Sequence, residues 1–494
     1  MKKTNKIFLI LLTSVSLLVG CDLDINQDPN RPTDRNIIPS VIFPAAAHGV
    51  GQRVASPNFT FLNNWLGYWS GSGGFAIDQT ETTYNITTTF GNVIWGNHYN
   101  ALFDLEQIRS KSLSQVNKDS VLAGASIILS AMLWQDLVDI YGNIPYTQAL
   151  QYETYPQPVY DKGQFVYDDL QKKLDQSILL MKAKLSNVQK ANFASADVVN
   201  HGSTTKWIKF ANTLKLRLLI HQSEVPGFNP ASVIAKIIAN GGVLHSGETV
   251  SVNPGYVAKE RDKQSPFFDN FGLTINDADA APSVRANVYF VDQLKARDDV
   301  RSILYFKTIS GNVIPTVYGL TAGNPLASSG IGSGLARSAT QDQWIFTSVE
   351  SLFLEAESIQ RGWMAGDAAT AYKSAVTESF LFLNDPALEL DIEAQAAEYI
   401  VNNPAGTLAN LLYQKYTAMC GIAPIESWSD LRRMGFGTIL GSDLGYISAN
   451  PSALSKSSIP NRLLYPESEY SSNTSNVKAE GQINQFTSKI FWQP

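Results

Sequence analysis

Cysteine, histidine and clustered basic charge are all scarce in this 494-residue chain. Its two cysteines are Cys21 and Cys420. With Cys21 used near the N-terminus, as argued below, Cys420 has no internal partner and no disulfide framework is available. Cys420 follows Met419 at the end of an apolar helical pattern, which reads as a small buried side chain. The five histidines, His48, His98, His201, His221 and His245, show neither HExxH nor HxH spacing, which argues against a histidine-based zinc site. The formal net charge is −6 with no basic block, which argues against nucleic acid as a partner. No nucleophile elbow, P-loop or dinucleotide fingerprint is present. No second long apolar run is read beyond Val19, so no bilayer-spanning helix is expected. What remains is a body with 44% hydrophobic and 17% charged residues, a balance that suits a sizeable globular core.

The first segment does have a pronounced pattern. Lys2, Lys3 and Lys6 precede an apolar run from Ile7 to Val19, broken only by Thr13, Ser14 and Ser16. This is short of the roughly 20 residues a spanning helix needs, so it reads as a signal-peptide core over residues 1–20. It ends in Leu18-Val19-Gly20-Cys21, which resembles the lipobox of bacterial lipoproteins. There the thiol is acylated and the chain is cut before the cysteine. A secretory signal ending in a chance cysteine is the alternative. Each buried methylene contributes about 0.8 kcal/mol and one chain alone holds weakly. The resemblance implies a multiply acylated Cys21 and a body held on the membrane without spanning it. Residues 21–40, rich in Asp, Asn and Pro, read as a tether. Asp22, Asp24 and Asn26 alternate as in an EF-hand loop, but Gln27 and Thr33 stand where Gly and Glu are required.

Aromatic residues are plentiful, with 20 Tyr and 9 Trp. Trp65, Tyr68 and Trp69 fall at i, i+3 and i+4, on one helix face, and Tyr84, Phe90, Trp95 and Tyr99 follow. Rings at this spacing more often fill a core. Here Asn63, Asn64, Ser70 and Ser72 place hydrogen-bonding groups beside flat apolar faces, the mixture that a sugar needs. Trp65, Tyr68, Trp69 and Tyr84 are therefore the first candidates for sugar stacking, with Asn64 alongside.

Apolar periodicity predicts helices over about 120–139, 164–185, from Thr204 through Leu218, and from Asn229-Pro230 to Gly241. From about 243 to 341, Gly, Ser, Asn and Pro dominate and the period is lost. This stretch reads as an irregular lobe with a few strands, the kind of segment that often carries binding loops. Tyr289, Tyr318 and Asn324 are second-choice ligand residues from it. Asp277 and Asp279 have two readings, an oxygen-rich metal site or a solvated turn, and the turn is the commoner use. Helices resume near Gln343, with one ending at Gly362 and the next capped by Asp367. Another runs over about 407–419, and the chain then ends in polar coil. Paired antiparallel helices are the unit of a tetratricopeptide-like solenoid, but no sustained 34-residue repeat is visible.

Several stretches then form an ordered set: DLDINQDPNRPT after the lipobox, DIYGNIPYTQAL (139–150), YPQPVYDKGQFVYDDL (155–170) and KWIKFANTLKLR (206–217). They continue with SLFLEAESIQRGW (351–363), ANLLYQKYTAM (409–419), ESWSDLRRMG (426–435) and IPNRLLYPESEYSSN (459–473). In this order and spacing the chain resembles SusD/RagB-type outer-membrane lipoproteins of the Bacteroidetes, in the SusD-like branch. Met434 and Phe436 depart from the usual form of the RRTG stretch. The resemblance implies a mainly α fold, a tetratricopeptide-like scaffold of helical pairs over about 41–242 and 342–440, with the irregular lobe 243–341 packed on it in one body, 41–494. It further implies a surface-exposed protein that captures oligosaccharides, or peptides in some relatives, and delivers them to a TonB-dependent SusC-like transporter, with no catalytic residue, metal or cofactor. The shared motifs read as scaffold, with Arg462 and Tyr465 pinning the terminal segment. Ligand residues are therefore sought between the motifs. The rivals are a surface glycoside hydrolase, which needs two carboxylates about 5–9 Å apart among 44 acidic residues, and a lipoprotein scaffold that binds another protein.

Overall fold

Apolar stripes and well-placed caps dictate which segments become helices. The computed structural model describes residues 38–114 and 119–494. Cys21, the signal segment and nearly all of the tether lie outside these residues. The first described helix, Pro39–Val54, opens on proline at its first position and buries Phe43, Ala47 and Val50. Asn92–Leu113 and Ser120–Tyr141 then pair, and Gly163–Met181 packs on the second of them. Asp119 caps Ser120–Tyr141 by accepting from the Leu122 amide at 3.1 Å, and Gly142 ends it with φ of +82°. That conformation is cheap only for glycine.

Ser120–Tyr141 corrects one expectation. By length and composition it is apolar enough to cross a membrane, yet it is buried almost throughout by its neighbours. Its hydrophobicity on all sides reflects a central core position.

Thr204–His221 is capped by Ser203 rather than Thr204, with the Lys206 amide 3.3 Å from Ser203 Oγ. Ser348–Gln360 and Ala368–Leu383 form the next pair, capped by Thr347 and Asp367. The stretch near Gln343, expected to be helical, is instead the strand Gln343–Phe346, antiparallel to Val250–Val252. Its run Gln-Trp-Ile-Phe is buried at every position, so a short buried strand fits it better than a helix turn would. The fold is mainly helical, as expected, with three two-stranded ribbons among the described residues. One ribbon joins Trp69–Gly71 to Val284–Ala286, tying the early aromatic segment to the irregular lobe. The terminal segment is less polar and less loose than expected. Trp492 is fully buried and donates to Asp139 Oδ1 at 2.9 Å. Arg462 donates to the Tyr141 carbonyl, and Tyr465 donates to the Asn143 carbonyl at 2.8 Å.

The helix Pro424–Met434 holds the body together through charge. Arg433 donates to both oxygens of Glu357 at 2.7 and 2.6 Å and to Asp430 at 2.7 Å. Lys415 pairs with Asp430 at 2.9 Å, and Glu426 pairs with His221 at 3.2 Å and Arg217 at 3.4 Å. All of these side chains are buried. The Arg433 and Arg361 guanidiniums hold Glu357 down at about 2 against the opposing effect of burial. The carboxylates of Glu426 and Asp139 lift His221 to about 9, although burial pulls the other way. Buried charges persist only when paired in this way. The WSDLRR run is therefore scaffold, as the sequence reading placed it.

Candidate functional site

The rings first considered for sugar stacking lie under the surface. Trp65, Tyr68, Trp69 and Tyr84 are each 1% exposed or less, Tyr289 is 4% and Tyr318 is 3%. Each has a core partner that explains this. Trp65 stacks parallel on Phe90 with centroids 5.9 Å apart and meets Trp428 edge-on at 6.4 Å. Tyr68 donates to the Tyr416 carbonyl at 2.6 Å and lies 2.8 Å from Ser427 Oγ. Trp69 packs on Phe271 at 5.1 Å. The Tyr84 hydroxyl accepts from the Ser448 amide at 2.8 Å, and Tyr289 meets Tyr446 at 5.7 Å. A ring enclosed in this way offers no face to a ligand, so these six residues are corrected to core.

The structure nevertheless brings both groups of candidates together, around a residue that the sequence reading missed. Glu81 Oε1 accepts from Asn64 Nδ2 at 2.8 Å and from the Tyr318 hydroxyl at 3.1 Å, while Trp65 Nε1 donates to the Glu81 carbonyl at 3.2 Å. Burial raises the Glu81 carboxyl to about 7, helped by the charge of Asp78 and opposed by the Asn64 and Tyr318 bonds. Asn64, 9% exposed, is thus spent on an internal acid and is also corrected from ligand to core. One signal was visible: Asp78 three residues before Glu81, the spacing of a helix cap, which the structure uses in Gln79–Thr82.

Above this node two loops meet. Gly73 lies so close to the Asn324 backbone that a Cβ there would fall 2.5 Å from the Asn324 carbonyl oxygen, and the Cβ position of Gly74 lies 4.0 Å from Leu326 Cδ2. At Gly73 only a residue without a side chain permits the approach, whereas at Gly74 a Cβ would make an ordinary contact. Asn324 is half-buried and its amide is committed: Oδ1 accepts from the Val317 amide at 2.9 Å, and Nδ2 donates to the carbonyls of Val317, at 3.2 Å, and Leu320. It holds the loop in shape and has little left to give a ligand. The apposed loops turn Phe75 outward at 45% exposed, beside Leu326 at 79% and Val317 at 37%. Phe75 was not among the sequence candidates. It lies past the end of the strand Trp69–Gly71, after Gly73 and Gly74, in no helix or strand of its own. Asp277 and Asp279 are drawn to separate cations, Lys259 at 2.5 Å and Arg285 at 3.4 Å, so the structure favours the turn reading.

Solved structures of similar fold put this ridge in context. A chitin-binding SusD homolog from Flavobacterium johnsoniae superposes with a TM-score of 0.72 at 20% identity, covering 91% of this chain and 98% of its own. A SusD/RagB-family protein from Bacteroides thetaiotaomicron gives 0.73 at 19% identity, covering 92% and 99%. A SusD-like protein from the same organism gives 0.69 at 23% identity, covering 91% and 98%. No curated protein matches the chain. Residues 29–466 match the SusD-like sequence profile described as "Starch-binding associating with outer membrane", and the chain belongs to that family.

Proposed function

We propose that this protein is a surface-exposed, lipid-anchored nutrient-binding lipoprotein that captures oligosaccharides and delivers them to a TonB-dependent SusC-like transporter in the outer membrane. The observation that carries the reading is the outward ring of Phe75, held on two interlocked loops of a SusD-like fold. Sugars bind by laying apolar C–H faces on an aromatic ring, and this ring is already turned to solvent. The family description and the chitin-binding relative support a glycan as the ligand. The lipobox-like ending at Cys21 supports the anchor. The reading assigns no chemical step. Glu81, the acid under the ridge, is engaged by Asn64 and Tyr318.

Delivery needs a second surface. Tyr152, Tyr155 and Phe165 are 66%, 39% and 45% exposed around the start of the helix Gly163–Met181. Exposed aromatics of this kind suit a protein partner. Tethering both proteins to one membrane raises their effective concentration, so modest contacts suffice.

The test is calorimetry and affinity electrophoresis of the purified protein against starch and chitin oligosaccharides, with copurification of the barrel from envelopes. Binding of at least one glycan together with recovery of a TonB-dependent barrel is expected. A protein that recovers the barrel but is retarded by no glycan would replace this reading with that of a protein-binding scaffold, and reducing ends released on long incubation would make it a hydrolase.

A further inference from the structure

A cleft with none of the Phe75 loop residues in its lining opens between the end of the helix Val288–Lys295, the loop 402–406, the helix Leu408–Ala418 and the end of the short helix Phe436–Leu440, with a volume of about 670 Å³. Arg297 is its one charged side chain. The guanidinium lies 4.1 Å from the centroid of the Tyr413 ring, and its Nη1 donates to the Gln293 carbonyl at 3.1 Å and to Gln293 Oε1 at 3.0 Å. No carboxylate pairs with it among the described residues, whereas Arg301, Arg361 and Arg433 are all paired. Asp443 is bonded at 3.2 Å by Gln293 Nε2. Nε and Nη2 of Arg297 remain free to donate.

A second observation points to a ligand independently. Tyr413 lines the cleft and is 9% exposed, yet among the described residues its hydroxyl has no hydrogen-bond partner, with the Thr417 side chain near enough to influence it. Buried polar atoms are nearly always satisfied, and an exception calls for an explanation. The walls add uncommitted amides. The Asn402 side chain makes no hydrogen bond, and Asn410 accepts through Oδ1 from Thr407 while its Nδ2 is unused. A pocket with one unpaired cation, an orphaned phenol and free amides is complementary to a carboxylate carried on a hydroxyl-rich frame. Planar guanidinium recognises carboxylate in a fork, and such charge-assisted bonds are about twice as strong as neutral ones.

We propose that this cleft is a second saccharide site, selective for uronate-bearing chains through Arg297 and Tyr413. It extends the glycan-capture reading to an acidic substrate class, but it rests on residues separate from the Phe75 ridge.

The experiment is calorimetry of the purified protein with a galacturonate trimer, a neutral maltotriose and a peptide with a free C-terminal carboxylate. The galacturonate trimer is expected to bind, and Arg297→Gln to weaken it about tenfold or more. Tyr413→Phe is expected to weaken it several-fold while leaving the melting temperature unchanged or higher, because it deletes an unsatisfied group. A purely structural Tyr413 would lower the melting temperature instead. Phe75→Ala is expected to leave uronate binding intact, which separates failure of this site from failure of the ridge. Equal binding of maltotriose and galacturonate, an Arg297→Gln variant that binds uronate normally, or binding by the peptide alone would each overturn the proposal.

Discussion

Trp65 and Phe75 sit ten residues apart and invite the same substitution, alanine, with opposite expected outcomes. Trp65 is fully buried among Phe61, Tyr84, Phe90 and Trp428, with ring centroids 4.7 to 6.4 Å away. Removing a ring from such a site costs about 3–5 kcal/mol in lost transfer energy and cavity. At about 2.1 cal/mol/K per residue, a body of this size unfolds with an entropy of about 1 kcal/mol/K, so Trp65→Ala is expected to lower the melting temperature by about 3–5 °C. Binding by the surviving folded protein is expected to change little. Phe75 is 45% exposed, so its truncation is expected to shift stability by no more than about 0.5 kcal/mol. It would, however, remove the stacking face. Aromatic stacking with its accompanying burial is worth about 1–2 kcal/mol, which corresponds to a rise in Kd of about 5- to 30-fold. The assay is paired: differential scanning fluorimetry for stability and calorimetry with the best-bound oligosaccharide for affinity. If Trp65→Ala melted like the wild type but lost the ligand, while Phe75→Ala bound normally, Trp65 would be the platform and the reasoning from burial would be refuted.

Three further outcomes follow from the same geometry. Arg433→Met leaves Glu357 and Asp430 buried without their fork, and it is expected to cost about 3–5 kcal/mol in chemical denaturation; a loss below about 1 kcal/mol would mean the network carries little. Glu81, lifted from 4.5 to about 7, holds in the folded state a proton that the unfolded chain has already released. Stability therefore falls as pH rises from about 4.5 through about 7, by about 1–3 kcal/mol. Glu81→Gln is expected to flatten that part of the melting-temperature profile and to raise the melt at pH 8, and an unchanged slope would place the titrating group elsewhere. Cys21→Ala is expected to release the protein from the envelope in fractionation and to abolish palmitate labelling, and retention of the variant at wild-type strength would remove the lipid anchor from the account.

Much of the fold was legible because periodicity and caps act locally. Asp367 caps the helix it was expected to cap, the period over 120–139 became the helix Ser120–Tyr141, and the loss of period after residue 243 marked a stretch in which the described helices and strands are short. The misread elements were those whose state depends on distant chain. Gln343–Phe346 is a strand because Val250–Val252 lies beside it, and no local pattern contains that partner. Trp492 is core because Asp139 lies more than 350 residues earlier and accepts its indole proton.

The candidate site failed for a related reason. The i, i+3, i+4 spacing of Trp65, Tyr68 and Trp69 predicts one helix face for all three, but the helix Thr60–Trp65 stops at the first ring, Gly67 turns the chain with φ of +77°, and Trp69 opens a strand. The rings enter the core from different elements, and spacing alone cannot separate a platform from a core. Neighbouring amides were taken as the discriminator, and Asn64 shows why they are a weak one: its Nδ2 serves Glu81, an acid 17 positions away that also gathers Trp65 and Tyr318. Polar groups beside buried rings are needed whenever the core contains an acid to satisfy. The better discriminator is the absence of anything to bury a ring. Phe75 follows Gly-Ser-Gly-Gly, in which the ribbon to Val284–Ala286 ends at Gly71, so its ring lies past the last strand residue and is 45% exposed. By that criterion the proposed ligand face is set by the close approach of the loops at Gly73 and Asn324, more than by the tryptophans in the core.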